Sequence, residues 1–344
     1  MNHAAIDLGS KESQVCVRSA DGTLVYEKKH PTRLLAELMK SWSPSRVILE
    51  TSSEAFRVAD AARAAGHEVR VVRSTLSKQL GIGDRGIKTD LRDARKLSEV
   101  STRIDLPSVH VPTEEARERR SFLRSREALL ASRTQLVNHA RGWLRMNLLK
   151  IRNGATGTFP DRFRAAMVKE QRTAPPHIEQ ILVVIDALNL QMLASNRQLR
   201  KLVSASELCR RLTTVPGVGP VTALSFVAAI DDVKRFEHAF RLQSYLGLTP
   251  GEDSSSERER RTSITKAGPS SVRRALIQAA WAAYVRCPDE PMVKWARQIA
   301  DRRGKFIAIV ALARKMAGIL YALWRDNTSY RSEKSAQPVE VHSR

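Results

Sequence analysis

Four carboxylates and a run of serines are the residues in this 344-residue chain whose types and spacing suit chemistry on a phosphodiester. Asp7 ends a short apolar run, Ala4-Ala5-Ile6, and Glu50 ends another, Arg46-Val47-Ile48-Leu49. Asp90 and Asp93 stand in Lys88-Thr89-Asp90-Leu91-Arg92-Asp93-Ala94. If that stretch is helical, a three-residue step puts both aspartates on one face. Open α/β sheets carry their sites at the carboxyl ends of strands. Carboxylates there, with a helix face folded over them, can hold two magnesium ions about 3.5–4 Å apart. One ion would activate the attacking oxygen and the other stabilise the leaving oxygen of an in-line phosphoryl transfer. Each acid alone has a plainer explanation. An Asp after a strand is a turn former, acids favour the first turn of a helix, and Thr89 can be an N-cap. The reading rests on all four occurring in this order.

The serines lie in Gly251-Glu252-Asp253-Ser254-Ser255-Ser256-Glu257-Arg258, after Leu246-Gly247-Leu248-Thr249-Pro250. A nucleophilic serine needs a neighbouring base or metal, and cations to hold the phosphate. Arg258, Arg260, Arg261 and Lys266 supply cations, and no nearby histidine offers a base. Serines in a basic loop are ordinarily flexible polar residues, so the residues alone do not make this loop catalytic. Upstream, Leu212-Thr213-Thr214-Val215-Pro216-Gly217-Val218-Gly219 precedes a helical run through Ala229. That is a helix-hairpin-helix pattern, in which helix N-terminal amides can bind a phosphate; a plain tight turn between helices is the other reading.

The elements that must position these groups follow from apolar spacing. Strand-like runs at 4–6, 14–17, 24–26, 46–49 and 69–72 alternate, after the third, with helical spacing at 34–42 and 54–65, and Gly66 stops the second helix. Three strands followed by alternating helix and strand predict an α/β layer with a mixed sheet. From Glu114 to Lys150 apolar pairs recur every seven residues, Phe122/Leu123 through Trp143/Leu144, among many arginines. After Pro175-Pro176, Ile178, Ile181, Ile185, Leu188, Met192, Leu199 and Leu202 step by threes and fours. This is a coiled-coil seam, and periodicity does not separate a hairpin within one chain from a dimer between chains. The last third reads as helical with basic loops.

Lysine and arginine outnumber aspartate and glutamate 58 to 36, a formal charge of +22. That charge attracts a polyanion, nucleic acid first, because bound cations release the phosphates' counterions. Cys16, Cys209 and Cys287 form no metal-binding spacing and fit a reduced cytosol. The opening residues carry no signal-peptide pattern, and no uninterrupted apolar run approaches the roughly 18 residues of a membrane span. A cytoplasmic protein with no membrane partner is expected. Aromatics are 5% of residues, so single-strand stacking platforms are not advertised.

In order, Ala5-Ile6-Asp7, Leu49-Glu50-Thr51, Lys88-Thr89-Asp90-x-x-Asp93-Ala94, Pro216-Gly217-Val218-Gly219, Gly247-Leu248-Thr249-Pro250 and Ile264-Thr265-Lys266-x-Gly268 before Arg273-Arg274 resemble one family. It is the DEDD-type insertion-sequence transposases with a C-terminal catalytic serine, which include Piv-like DNA invertases and bridge-RNA-guided recombinases. The resemblance spans residues 4–325. It implies an α/β RNase H-like (RuvC-like) domain at 1–108, a helical coiled-coil region at 109–205, and a mainly α C-terminal transposase domain at 206–328 with the helix-hairpin-helix. A disordered tail at 329–344 is expected. The resemblance carries the Mg2+ ligands onto Asp7, Glu50, Asp90 and Asp93 and the nucleophile onto Ser255, five residues beyond Pro250. Many relatives have glycines after the serine where this chain has Ser256-Glu257-Arg258-Glu259, which leaves Ser254 and Ser256 as alternatives.

By the same resemblance the serine joins covalently to DNA, carboxylates and serine come from different protomers of a dimer-to-tetramer assembly, and a structured non-coding RNA pairs with donor and target double-stranded DNA. The protein would act on nucleoid DNA in a bacterial cytoplasm. Two rival readings use the same residues: a RuvC-like hydrolytic nuclease or Holliday junction resolvase with no covalent intermediate, and a non-enzymatic nucleic-acid-binding scaffold.

Overall fold

The computed structural model describes residues 1–79, 89–255 and 258–332, with residues 77–79 and 252–261 described by backbone alone. The chain divides into two compact units, Met1–Pro112 and Thr113–Arg344.

The first unit contains β1 (Asn2–Asp7), β2 (Glu12–Arg18), β3 (Leu24–Pro31), α1 (Leu35–Lys40), β4 (Ser45–Glu50), α2 (Ala55–Ala64), β5 (Glu68–Val72), α3 (Ser74–Gln79) and α4 (Asp90–Arg103). The sheet order is β3-β2-β1-β4-β5. β1, β2 and β3 pair antiparallel, whereas β4 runs parallel to β1 and β5 parallel to β4. The expected mixed α/β sheet is therefore present. Alternation along the strands gives the sheet two apolar faces. Ala4, Ile6, Val47 and Leu49 face the α1–α2 side with Leu35, Met39, Val58 and Ala59. Ala5, Ile48 and Val72 face the other side with Leu97 of α4 and Leu106. Both faces are covered, which explains why β1 and β4 read as short unbroken apolar runs rather than alternating ones.

The second unit contains α5 (Glu114–Met146), α6 (Phe159–Lys169), α7 (Pro176–Ala205), α8 (Glu207–Leu212), α9 (Pro220–Ile230), α10 (Ala239–Tyr245), β6 (Pro250–Ser255), β7 (Arg258–Ile264), α11 (Ser270–Arg286), α12 (Pro291–Arg303) and α13 (Lys305–Arg325). It is mostly helical. α5 and α7 pack on one another within the chain. Ile178, Ile185, Met192 and Leu199, spaced by seven, are the buried positions of the α7 seam, and Arg126 and Arg133 of α5 donate to Asn196 and Asn189 at 2.9 and 3.2 Å. The seam is thus at least an intramolecular hairpin. Val183, Leu190 and Leu193 remain exposed on α7.

Two expectations are corrected. The serine segment is not a loop in a helical region: β6 (250–255) pairs antiparallel with β7 (258–264). Glycine, serine and charged residues gave it no apolar alternation to announce strands. The start of the tail is held in place: the Tyr330 amide donates to Thr214 Oγ1 at 2.9 Å, and its hydroxyl donates to Glu290 at 3.1 Å. Residues 333–344 lie outside the described residues. Although no uninterrupted apolar run reaches the length of a membrane span, α7 and α13 are by length and composition apolar enough to cross a membrane. In this fold each buries a stripe against protein instead; Ile309, Leu312, Met316 and Leu320 of α13 lie in the core of the second unit.

Candidate active site

Asp7 and Glu50 are the last residues of β1 and β4. These strands are parallel neighbours, with Ile6 opposite Leu49, so the two carboxylates leave adjacent strands at the same edge of the sheet. By alternation they share the face of Ala5 and Ile48, the one that α4 covers. Both are half-buried.

Three polar contacts fix α4 over that face. Ser101 Oγ meets His3 Nδ1 at 2.8 Å on β1, and Ser98 Oγ meets Cys16 Sγ at 3.2 Å on β2. Arg95 Nε donates to Glu27 on β3 at 2.6 Å. That guanidinium bond holds the Glu27 carboxyl below its ordinary range, and burial lowers the His3 ring and raises the Cys16 thiol. The contacts also set direction. Ser101 sits at the start of β1, and Leu97 shares a core with Ala5. Asp93 lies two turns before Ser101, about 12 Å along the helix axis. His3 to Asp7 spans about 13 Å of strand. α4 therefore runs antiparallel to β1, and Asp93 comes level with Asp7.

Asp90 and Asp93 separate the plain explanation of helical acids from the chemical one. Thr89 does cap α4, accepting from the Arg92 amide, and both acids lie in the first turn. Asp90 is exposed, as a dipole-favoured surface acid would be. Asp93 is only 3% exposed. Placing a carboxylate there costs free energy that a helix dipole does not demand, and buried charge is expected only beside compensating groups or a cation.

The carboxylate donors are hard oxygens of the kind that suit magnesium. Asp7 and Glu50 end neighbouring strands, and Asp93 is buried in the first turn of the helix over that face, with exposed Asp90 three residues before it. Among the described residues, however, no three histidine, cysteine, aspartate or glutamate side chains are gathered closely enough to hold an ion as they stand. The donor set and its placement on the elements fit a divalent cation; the side-chain positions are not drawn into one shell. Reading the residues alone missed His3, Ser98 and Ser101. Their signal was available: Asp93, Leu97 and Ser101 are spaced i, i+4, i+8, so polar residues occupy core positions of an amphipathic helix.

In the second unit, Ser255 is the last paired residue of β6, opposite Arg258; Ser254 pairs with Glu259 and Asp253 with Arg260. Ser256 lies outside the described residues, as does Glu257. Arg258 and Arg260 are thus cross-strand partners of the serine strand rather than scattered loop cations. The base of the hairpin is a backbone clamp. Gly247 and Gly268 both have positive φ, 66° and 68°. A Cβ on Gly247 would lie 2.2 Å from the Ala267 carbonyl oxygen, and one on Gly268 would lie 1.9 Å from that of Tyr245. The amides of Thr265 and Lys266 donate to the carbonyls of Thr249 and Gly247, at 2.9 and 3.2 Å. Arg273 Nη1 donates to the carbonyls of Leu246 and Ala267 at 3.0 and 2.8 Å. Two motifs that looked independent in sequence are the two sides of one joint.

The segment from α8 to α9 is two helices joined by a turn, as both the helix-hairpin-helix and the plain-turn readings expect. Its Gly217 serves packing: a Cβ there would lie 2.3 Å from the carbonyl oxygen of Ala279 on α11. Beside α9, a cavity of about 420 Å³ is lined by Arg120, Arg124, Arg126 and Arg274, with Glu127 the one acid among them. Arg120 donates to the Ala228 and Ala229 carbonyls at the end of α9, at 2.7 and 3.1 Å, and burial lowers its pKa.

The chain is similar to known transposases along most of its length. A DEDD transposase model of the IS110 type matches residues 4–147, and the model described as Transposase IS116/IS110/IS902 family matches residues 209–295. The transposase for insertion sequence element IS1111A of Coxiella burnetii is 31% identical over 250 residues, covering 71% of this chain and 68% of that protein. A probable family 20 transposase of Pseudomonas aeruginosa is 27% identical over 339 residues, covering 96% of this chain and 99% of its own. With one model on the carboxylate unit, the other on the hairpin region, and relatives spanning both, this chain belongs to the IS116/IS110/IS902 family of insertion-sequence transposases and is a DNA transposase.

Proposed function

We propose that this transposase cuts and rejoins DNA with the carboxylates Asp7, Glu50, Asp90 and Asp93 and with Ser255 as nucleophile, on an RNase H-like first domain. The observation that carries the reading is the burial of Asp93 in α4, the helix over the sheet face that Asp7 and Glu50 share at the ends of neighbouring strands. These carboxylates would hold Mg2+, which when bound supplies charge stabilisation to the attacking and leaving oxygens of the phosphoryl transfer. Asp7 and Glu50 orient from strand ends, and α4, pinned by His3, Cys16 and Glu27, delivers Asp93 without the freedom of a loop.

Ser255 Oγ forms a bond to phosphorus as the bond from phosphorus to a deoxyribose oxygen breaks. The serine proton is transferred overall to that leaving oxygen. A deoxyribose hydroxyl then attacks the phosphoserine, restoring the diester and returning the proton to Ser255. Arg258 and Arg260, in register across the hairpin, supply positive charge to the phosphate. Carboxylates and serine would come from different protomers of a dimer or tetramer, for which the exposed Val183, Leu190 and Leu193 of α7 offer apolar surface. A structured bridge RNA would select donor and target duplexes by base pairing, with the protein acting on nucleoid DNA in the cytoplasm.

The test is an excision assay with Asp7→Ala, Asp93→Asn, Ser255→Ala, Ser254→Ala and Ser256→Ala, products being run on denaturing gels. Loss with the first three, and a protein–DNA adduct lost with Ser255→Ala but kept with Ser254→Ala and Ser256→Ala, is expected. If Ser255→Ala still cuts and no adduct forms, the hydrolytic nuclease reading replaces this one. If Asp7→Ala and Asp93→Asn recombine normally, the carboxylate site is wrong. Copurification of one discrete RNA is expected, and finding only random RNA would remove the guide while leaving the recombinase.

A further inference from the structure

A low aromatic content spread evenly would offer no platform for bases, but the fold gathers half-buried Trp281 and Tyr284 and exposed Phe306 in one place. Trp281 and Tyr284 of α11 meet edge to face at 6.4 Å, and Trp281 meets Phe306 of α13 at 6.1 Å and 76°. Lys305 Nζ stands 5.0 Å from the Trp281 ring centre and 5.4 Å from that of Tyr284, and the Arg297 guanidinium 5.5 Å from Tyr284. Arg302 and Arg303 end α12 immediately before this cluster. Phe306 is 80% exposed, and Ile307 next to it in sequence and Val285 next to Tyr284 are exposed as well. An aromatic side chain so open to water contributes little to the core and leaves its hydrophobic surface uncovered.

We infer that Trp281, Tyr284, Lys305 and Phe306 form a stacking platform for unpaired bases of single-stranded DNA, separate from the residues of the proposed catalytic site. Base stacking on aromatics combined with a cationic track for the phosphates is the chemistry of sequence-independent single-strand binding. The Phe306 and Trp281 rings cross at 76°, so the two are not stacked face to face. Lys305 rides on a flexible stem and can exchange its ring contact for a phosphate. In a duplex the base faces are already stacked, so this surface distinguishes unpaired from paired DNA. A transposase generates unpaired DNA whenever a cut strand leaves its partner to be joined elsewhere. The exposed cations Arg297, Arg302, Arg303 and Lys305, with Asp301 the acid among them in sequence, match a phosphate chain rather than an apolar protein face.

The experiment is fluorescence anisotropy of full-length protein with a short oligo-dT, an oligo-U of the same length and a mixed-sequence duplex, at moderate salt. Phe306→Ala is expected to weaken oligo-dT binding between about fivefold and a hundredfold and to leave duplex binding within about twofold. Phe306→Trp should restore it. Lys305→Ala should weaken oligo-dT binding and flatten its salt dependence. Val168→Ala, a loss of an exposed apolar side chain on α6, should leave oligo-dT binding unchanged, and the exposure of Phe306 means that its variants should melt as the parent does. Equal losses on oligo-dT and duplex, or no loss on either, would overturn the platform. Tighter oligo-U binding lost equally in Phe306→Ala would assign the surface to RNA instead. A change in oligomeric state with Phe306→Ala and unchanged DNA binding would make it a contact between copies. Because the readout is binding, its failure is distinct from failure of the excision assay.

Discussion

The carboxylate corner and the serine hairpin are built on opposite plans. At the corner, the residues with chemical potential are themselves the motif, and the scaffold is anonymous apolar sequence with three polar pins. At the hairpin, most motif residues, Gly247, Gly268 and Arg273 among them, are scaffold. They lock the base of β6 and β7 by close backbone approach, while the serine sits at the far end of the strand. A strand-and-helix corner is stiff without special residues because both faces of its sheet are buried. A two-stranded hairpin on its own is only marginally stable, so its attachment has to be specified residue by residue.

The sharpest way to break this contrast is to exchange its expected outcomes. Asp93→Asn should cut strand-transfer activity by roughly a thousandfold while the thermal melt holds, because the amide keeps the shape; a lowered melt with retained activity would make Asp93 structural. Gly268→Ala should do the reverse, destabilising by about 3 kcal/mol through backbone overlap at positive φ, read as a lower urea midpoint. An unaltered midpoint would show that the clamp is not rigid. Arg273→Ala, which removes two bonds to carbonyls, should cost about 2 kcal/mol and lower activity with no effect on carboxylate-dependent metal binding followed calorimetrically.

On the other side of the comparison, Ser101→Ala should cost about 1 kcal/mol and loosen α4, giving faster amide exchange at residues 90–98 than in the parent. Acid should have the smallest effect. Burial, followed by the charges of Arg46 and the N-terminus, lowers His3 from 6.5. The unfolded chain therefore takes up this proton before the folded one does. The stability tied to neutral His3 is complete above about pH 6.5 and declines as pH falls through that value toward the folded pKa. Glu27, also lowered, holds its contribution above about 4.5 and loses it below. His3→Gln should flatten the upper part of that acid decline in urea titrations, and an unchanged slope would remove His3 from the account.

Much of the first unit was legible from residues alone, since alternating apolar runs and a glycine stop reflect burial on a sheet and the end of a helix. Asp7 and Glu50 were legible as strand-end acids for the same reason. The hairpin was not, because Gly251 through Arg261 carries no apolar period and its pairing rests on contacts at its base. The choice between an α5–α7 hairpin and a dimer was closed to periodicity, because a buried seam looks alike whichever chain supplies its partner; the structure shows the hairpin and leaves a second apolar strip exposed.

The order of chemically competent residues, the cationic excess and the alternation of elements were properties of the sequence by itself, because each is local or additive along the chain. Tertiary structure alone decided which helical aspartate is buried, which glycines serve as a joint, and that three aromatics and a lysine scattered over 26 residues share one surface. Those properties depend on segments distant in sequence approaching within a few ångströms, and spacing along a chain does not encode that approach until the cores have formed.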